Sequence, residues 1–297
     1  VFDPGLFVSI ALHMTQVTLR YGNSAYSAFT FATYGFICAT QLNTFKLAAG
    51  FQRAALVLAS QYGDNVDYVA YFTIANYLNH WHKPLWESLD YAERSYQLAD
   101  KNGDVLFAGA AQAEMVLIRY VLGDSLETLS RQIQVALTVN TRYGMSYLLD
   151  ILQTAQQYIA NLQGKTVSPT SFTGGEYDED AVSQRMLDTG SGMIVPFYYL
   201  MKIRSSYLHG AYKESWDLVL TLYPQRDAMI GKISQPEYAY WICLAGAAVL
   251  PELTGPGKRQ AKKLMKKELR HLRRWARACE DNFLHKYKLA SAEYYRL

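Results

Sequence analysis

Residues 85–122 read LWESLDYAERSYQLADKNGDVLFAGAAQAEMVLIRYVL, and this stretch predicts two helices joined by a glycine turn. Within residues 85–99, apolar side chains recur every three or four positions, which is the period of one helix face. Residues 105–122 are apolar nearly all round, as expected of a helix enclosed between its partner and neighbouring helices. Between them, Gly103 supplies the left-handed conformation that commonly closes a helix. The stretch therefore predicts a helical hairpin.

The glycine turn recurs along the chain at a nearly constant step. Its four copies follow one another at steps of 41, 40 and 41 residues: Tyr21-Gly22-Asn23, Tyr62-Gly63-Asp64, Asn102-Gly103-Asp104 and Tyr143-Gly144-Met145. A second turn falls between each two copies, so each repeat holds two helices. Repeats of this length bury a core only against their neighbours. We therefore expect an all-α fold, a right-handed superhelical solenoid of TPR-like antiparallel helix pairs.

The domain organisation follows from where this regularity stops. Residues 1–164 are expected to form regular repeats of about 41 residues. Residues 165–175 are rich in Ser, Thr, Pro and Gly, which predicts a polar linker loop. The acidic run 176–180 then opens a helix, because negative charge is favourable at a helix start. Residues 176–297 are expected to continue the solenoid less regularly, with Asn282 capping the last helix, as part of a longer chain.

Composition indicates a folded protein without a membrane span. Half of the 297 residues are hydrophobic, which is ample for a continuous core. The longest apolar stretch, residues 241–250, is about half of what a bilayer crossing needs. Cys38, Cys243 and Cys279 are far apart, show no CxxC spacing and cannot all pair. They predict reduced thiols and a cytoplasmic protein.

The motifs for catalysis and metal binding are incomplete. Gly255-Pro256-Gly257-Lys258-Arg259 lacks the spacing and the hydroxyl residue of a phosphate-binding loop and is interpreted as a turn. On a helix, His80 and His82 would point about 200° apart, too far to hold one ion together. Gly190-Ser191-Gly192 does not match the nucleophile elbow of hydrolases. We expect no catalytic site, no metal and no cofactor in this chain.

Residues 258–277 form the most strongly charged segment. They hold ten Lys and Arg side chains against one acid, Glu268, whereas the remaining residues have a net charge of −6. Such a helix face could bind nucleic acid, an anionic membrane or an acidic partner. A solvated face is the favoured interpretation, and nucleic acid is disfavoured because no aromatic residues alternate with the cations to stack on bases. The candidate basic surface comprises Lys262, Lys263, Lys266, Lys267, Arg270, Arg273 and Arg274.

Polar residues inside apolar helices are the candidates for a binding groove. Gln112, Glu114, Arg119 and Lys202 would line the concave face of a solenoid, or would instead bond between repeats. The chain also has 24 tyrosines, whose rings could line a ligand groove or fill the space between repeats. A Tyr-rich groove keeps a second function open, that of a receptor for a small molecule or a peptide.

Three short motifs resemble one known helical region, the TPR-like array of large multidomain bacterial signalling proteins. They are Asn76-x-x-x-His80-Trp81, Phe197-Tyr198-Tyr199-x-x-Lys202-x-x-x-x-Tyr207 and Asn282-Phe283-Leu284-His285-Lys286. In that family a serine/threonine kinase-like domain and a STAND/AAA-type ATPase precede the array, and a GAF domain and a sensor histidine kinase or cyclase follow it. The resemblance covers nearly the whole chain. It adds Asn76, His80, Trp81 and Tyr207 to the groove candidates.

The resemblance implies a regulatory role. The array would bind neighbouring domains of the same polypeptide, a partner protein or a small-molecule inducer, and would relay that event to an output domain without catalysing a reaction itself. The basic helix is denser in charge than the family pattern, which leaves room for an additional partner.

Overall fold

The computed structural model describes residues 4–62, 66–188 and 194–296, and in these ranges it contains fourteen α-helices and no strand. The predicted all-α class is confirmed. Gly63, Asp64 and the Gly190-Ser191-Gly192 motif lie outside the described residues. The helices are α1 (Pro4–Tyr21), α2 (Ser27–Thr40), α3 (Phe45–Tyr62), α4 (Asp67–Thr73), α5 (Glu87–Lys101), α6 (Val105–Leu122), α7 (Leu126–Arg142), α8 (Ser146–Leu162), α9 (Glu179–Asp188), α10 (Ile194–Leu208), α11 (Tyr212–Leu222), α12 (Ser234–Val249), α13 (Gly255–Ala278) and α14 (Glu280–Tyr295).

The chain forms two compact units, a first unit of Val1–Leu122 and a second unit of Gly123–Leu297. The boundary follows α6, one helix pair before the segment 165–175. That segment, predicted as a linker loop, lies inside the second unit and contains no helix.

Glycine turns join helices within each unit. Gly103, with φ +73°, lies between α5 and α6, and Gly144, with φ +67°, lies between α7 and α8. No atom lies within 4 Å of the β-carbon that an alanine would add at either position, so the left-handed backbone alone favours glycine there. After the first of these turns, Asp104 Oδ1 accepts a hydrogen bond from the Phe107 amide at 3.1 Å and so caps α6.

In the first unit the even-numbered helices form an inner layer. α2 contacts α4, α4 contacts α6, and the odd-numbered helices pack against these neighbours. Ten of the fourteen residues of α2 are buried, compared with five of the fifteen residues of α5. The apolar side chains of the even-numbered helices therefore supply most of the core.

The second unit repeats this arrangement. α8 contacts α10, α10 contacts α12, and α12 contacts α14. Thirteen of the sixteen residues of α12 are buried, against eight of the twenty-four residues of α13. A hydrophobic cluster built around Leu200, Ile203, Trp216 and Ile242 fills the space between α10, α11 and α12. α13 is thus an outer helix, and one broad face of it is exposed to solvent.

One helix in the described part of the chain, α6, is long and apolar enough to cross a bilayer by length and composition. Its mean hydropathy is 1.5, and 56% of its residues are buried inside the first unit. It packs against α5 and contacts α4. Burial of this kind is typical of the core helix of a folded protein.

The prediction that Asn282 caps the last helix is wrong. α14 begins at Glu280, and Asn282 lies buried within its first turn. The break between α13 and α14 falls at Cys279, whose extended backbone, φ −146° and ψ 101°, cannot continue a helix.

Candidate functional site

The predicted groove residues lie in the segment 74–81 that follows α4, on α6 and on α10. Six of the eight side chains are buried: Asn76, His80, Trp81, Gln112, Glu114 and Lys202. Arg119 and Tyr207 are half-buried. Most of the predicted set is therefore enclosed between helices, and only these two side chains are partly open to solvent.

In the first unit, the candidates follow a local change of helix type. After Thr73 the chain forms one π-helical turn, Ile74–Leu78, and then a short 3₁₀ turn, Asn79–Trp81. A π turn fits one extra residue into the helix and changes the direction of every side chain that follows. Asn76 lies in the π turn. Trp81 ends the 3₁₀ turn, and its indole Nε1 donates to the Tyr77 carbonyl at 3.0 Å.

The redirected residue that organises this region is Asn79, which sequence reasoning did not select. Gln52 Nε2 on α3 donates to Asn79 Oδ1 at 2.8 Å. Asn79 Nδ2 donates to Ser88 Oγ at 3.1 Å and to the Pro84 carbonyl at 3.4 Å. Asn79 and Ser88 are fully buried. This neutral cluster ties α3, the end of α4 and the start of α5 together.

Glu114 on α6 lies near the π turn. Burial, and then the Glu114 carboxylate, raise the pKa of Tyr77, which keeps that phenol protonated. The structure therefore brings Glu114 towards the segment that contains Asn76, His80 and Trp81.

In the second unit, a buried ion pair joins α9 to α10. Lys202 Nζ lies 2.8 Å from Glu179 Oε1, and the two side chains are 7% and 9% exposed. Tyr198 Oη donates to Glu179 Oε1 at 2.9 Å, and the Phe172 amide donates to Oε2 at 2.8 Å. Lys202 Nζ also donates to the Thr170 carbonyl and lies 4.7 Å from the centre of the Phe172 ring.

The surroundings of this pair provide hydrogen-bond partners for both side chains. Each ion has both its counter-ion and neutral hydrogen-bond partners, which a buried charge requires. Burial, and then Glu179, raise the pKa of Tyr198, so that Tyr198 remains a hydrogen-bond donor. We interpret Lys202 as a residue that bonds between neighbouring elements, the second of the two roles considered for it.

Asn161 on α8 holds the segment 165–175, which also contains Thr170 and Phe172. The Asn161 side chain is buried, and the Ser205 hydroxyl of α10 donates to its Oδ1. Its Nδ2 is shared among four loop oxygens within 3.3 Å, Thr166 Oγ1 and the carbonyls of Ser168, Pro169 and Ser171. The polar segment predicted as a linker is therefore fastened to α8, α9 and α10.

A second buried ion pair joins α12 to α14. Lys286 Nζ lies 2.7 Å from Glu237 Oε1, with side chains 10% and 3% exposed. The ammonium group lies 5.3 Å from the centre of the Tyr240 ring. Burial, and then Glu237, raise the pKa of Tyr240 to about 12.

The outer face of α13 carries a line of cations, which we call the basic face. It consists of nine exposed side chains, Lys258, Arg259, Lys262, Lys263, Lys266, Arg270, Arg273, Arg274 and Arg277. None of the nine forms an ion pair or a hydrogen bond with another side chain in the described part of the protein. Lys267, the tenth cation, is half-buried and donates to Tyr223 Oη at 3.1 Å.

The only acid in this segment is turned away from the surface. Glu268 is 5% exposed, and its Oε2 lies 2.9 Å from His271 Nδ1. The basic face is therefore uninterrupted by negative charge along its whole length.

The cysteines, the possible metal ligands and one cavity also lie among the described residues. All three cysteines are buried, and burial raises the pKa values of Cys38 and Cys243. Residues 4–62, 66–188 and 194–296 contain no group of three His, Cys, Asp or Glu side chains that could hold a metal ion. A cavity of about 240 Å³ lies beside α13, lined by Leu250, Lys262, Met265, Tyr294 and Tyr295.

Comparison with known proteins finds no matching family model, no matching curated protein and no matching solved structure.

Proposed function

We propose that this chain is a helical-repeat interaction module that relays a binding event within a larger bacterial signalling protein. Its helix pairs are TPR-like and antiparallel and form a right-handed superhelical solenoid in the cytoplasm. The parent protein is of the serine/threonine kinase-like, STAND/AAA ATPase, GAF and sensor histidine kinase type. Catalysis belongs to other domains of that protein.

The observation that carries this proposal is the inner layer of even-numbered helices. Within each unit, every even-numbered helix contacts the next one, and the odd-numbered helices pack against them. Stacked repeats interact mainly with their nearest neighbours, so a shift at one helix changes the packing of the next. This architecture suits a segment that passes a conformational change along its length.

Two of the predicted groove residues are partly exposed, Arg119 in the first unit and Tyr207 in the second, and each is proposed as a binding residue within its own unit. Arginine and tyrosine are enriched where proteins bind one another, since each combines a large contact area with hydrogen bonding. Tyr207 packs against Trp241 of α12, with ring centres 5.5 Å apart. Movement of the Tyr207 ring would therefore change the packing of α12.

Binding to the polypeptide segments encoded on either side of this chain in its gene tests the proposal. We expect Arg119→Ala and Tyr207→Ala to weaken capture of one of these segments by at least about tenfold. Arg131→Ala, an exposed arginine on the outer helix α7, is the matched control and should leave capture unchanged. Capture that is equally insensitive to all three substitutions would overturn Arg119 and Tyr207 as binding residues.

A further inference from the structure

The basic face has a defined geometry. Each residue advances an α-helix by about 1.5 Å and turns it by about 100°, so Lys258 to Arg277 span about 28 Å and the nine cations cover an arc of about 160°. The buried positions, such as Leu264, Leu272 and Trp275, occupy the opposite side and pack inside the second unit. Both flanks and the crest of the exposed half-cylinder therefore carry positive charge.

The charges are neither neutralised nor interrupted. The nine side chains have no ion-pair partner among the described residues, and Glu268 is buried against His271. Like charges at this density repel one another, which destabilises the surface unless a polyanion neutralises them. The face is thus complementary to a ligand with regularly spaced negative charge.

The residue types of the basic face indicate which class of polyanion, among protein, nucleic acid and membrane, fits it best. No large hydrophobic side chain between residues 258 and 277 is exposed. Protein interfaces are enriched in aromatic residues and depleted of lysine, whereas interfaces with DNA are polar and strongly positive. The apolar side of α13 packs into the core of the second unit. This side is therefore not available to enter a bilayer, as the apolar side of an amphipathic helix does.

The curved shape of the basic face fits a groove in its partner better than a flat surface. A flat membrane surface would meet only the crest of the helix, leaving the cations on both flanks unsatisfied. The major groove of B-form DNA is about 12 Å wide and admits an α-helix, with phosphates along both walls. Single strands are bound by stacking on aromatic rings, and no exposed aromatic side chain alternates with the cations along residues 258–277. Duplex binding through phosphates needs no such rings, so their absence from the basic face is compatible with a DNA duplex.

We propose that the basic face of α13 binds the phosphate backbone of double-stranded DNA, with the exposed half of the helix in the major groove. Contacts of this kind are independent of sequence and depend steeply on salt, because each neutralised phosphate releases a counterion. Six contacts would give a slope of about −5 in a plot of log K against log salt concentration, a loss of about 1,000-fold between 50 and 200 mM.

Fluorescence anisotropy of the full chain with a labelled 20-base-pair DNA duplex tests this proposal. We expect a Kd below about 1 μM at 50 mM salt and the steep salt slope given above. The variant Lys262→Glu/Lys266→Glu/Arg273→Glu should bind at least about 100-fold more weakly. A matched control, Lys46→Glu/Arg131→Glu/Lys165→Glu, changes the net charge equally at exposed positions elsewhere and should bind within about threefold of the unchanged chain.

Several outcomes would overturn the proposal. One is an equal loss in both triple variants, which would mean that net charge alone drives binding. Others are tighter binding to vesicles of phosphatidylserine and phosphatidylcholine or to polyglutamate than to duplex DNA, or single-stranded DNA binding as well as duplex. Circular dichroism of both variants checks that they remain helical. If the charge-reversed variant has lost helix, Lys262→Gln/Lys266→Gln/Arg273→Gln replaces it and should still bind at least about 10-fold more weakly.

Discussion

Asn79 in the first unit and Glu179 in the second are both buried polar residues beside a turn, yet different chemistry satisfies them. Asn79 exchanges hydrogen bonds with neutral groups on α3 and α5. Glu179 is paired with Lys202 and receives further hydrogen bonds from Tyr198 and a loop amide. A neutral cluster costs little to bury, whereas each buried ion depends on its partner.

This difference predicts which of the two units is more sensitive to the loss of a buried polar contact. In the first unit the polar cluster joins helices that already pack closely. In the second unit, the ion pair and Asn161 hold a helix-free segment, residues 165–175, that has few apolar side chains of its own. Loss of a polar contact should therefore cost more in the second unit than in the first.

The largest effect is expected for Lys202→Met. It leaves the Glu179 carboxylate buried without a counter-ion and should lower the free energy of unfolding of the second unit by about 3–5 kcal/mol. Urea unfolding followed by hydrogen-exchange mass spectrometry reports each unit separately. The control is Glu179→Gln/Lys202→Met, which should recover most of the loss. A single substitution that costs less than 1 kcal/mol would remove the distinction between the units.

Asn79→Leu is the corresponding change in the first unit. It removes three hydrogen bonds and leaves Gln52 and Ser88 without their partner, so we expect a loss of about 2–3 kcal/mol. Ser88→Ala removes only one of these bonds and should cost about 1 kcal/mol. If Asn79→Leu destabilises the first unit more than Lys202→Met destabilises the second, the first unit is the one that depends more on its buried polar contacts.

His82 makes the first unit sensitive to acid. Burial, followed by Lys83 and Arg53, lowers the pKa of His82 to about 4. Below its ordinary pKa of about 6.5 the unfolded chain binds the proton more readily, so stability falls as pH decreases from about 6.5 towards 4. Allowing for the partial exposure of the ring, we expect about 1–2 kcal/mol less stability at pH 4.5 than at pH 7.

The matching variant for this prediction is His82→Asn. The difference in the free energy of unfolding between His82→Asn and the unchanged chain, measured at both pH values, isolates His82 because the other titrating groups are common to both. A difference that stays constant between pH 7 and pH 4.5 would contradict the shifted pKa.

The smallest effect should be equal in the two units. Gly103→Ala and Gly144→Ala each place a β-carbon in open space on a left-handed backbone, at a cost of about 1 kcal/mol. Asparagine tolerates this conformation better, so Gly103→Asn and Gly144→Asn should cost less. Thermal unfolding compares the four variants. Unequal costs at the two turns would show that the repeat is less regular than its 41-residue step indicates.

Features encoded locally could be predicted from the sequence. The helical class and the turns at Gly103 and Gly144 follow from periodicity and backbone preference, which act over a few residues. The exposed cations of α13 were found for the same reason, since helical spacing separates them from a buried stripe.

Features that depend on long-range contacts could not be predicted. The π turn after Thr73 has no periodic signal, and it redirects Asn79 into the core. The pairing of Glu179 with Lys202 joins residues on different helices, so Glu179 looked like an ordinary acid at a helix start. For the groove candidates, sequence located the inner helices but not the depth at which each side chain lies.

The positive charge of the chain is concentrated on α13. The chain as a whole has a net charge of +3, yet residues outside 258–277 have a net charge of −6. An ion-exchange column responds to local charge, so a cation exchanger will retain the protein much more strongly than +3 suggests. At low ionic strength the basic face of one molecule attracts acidic side chains of another. Salt near or above the physiological level will suppress this self-association and keep purified samples dispersed.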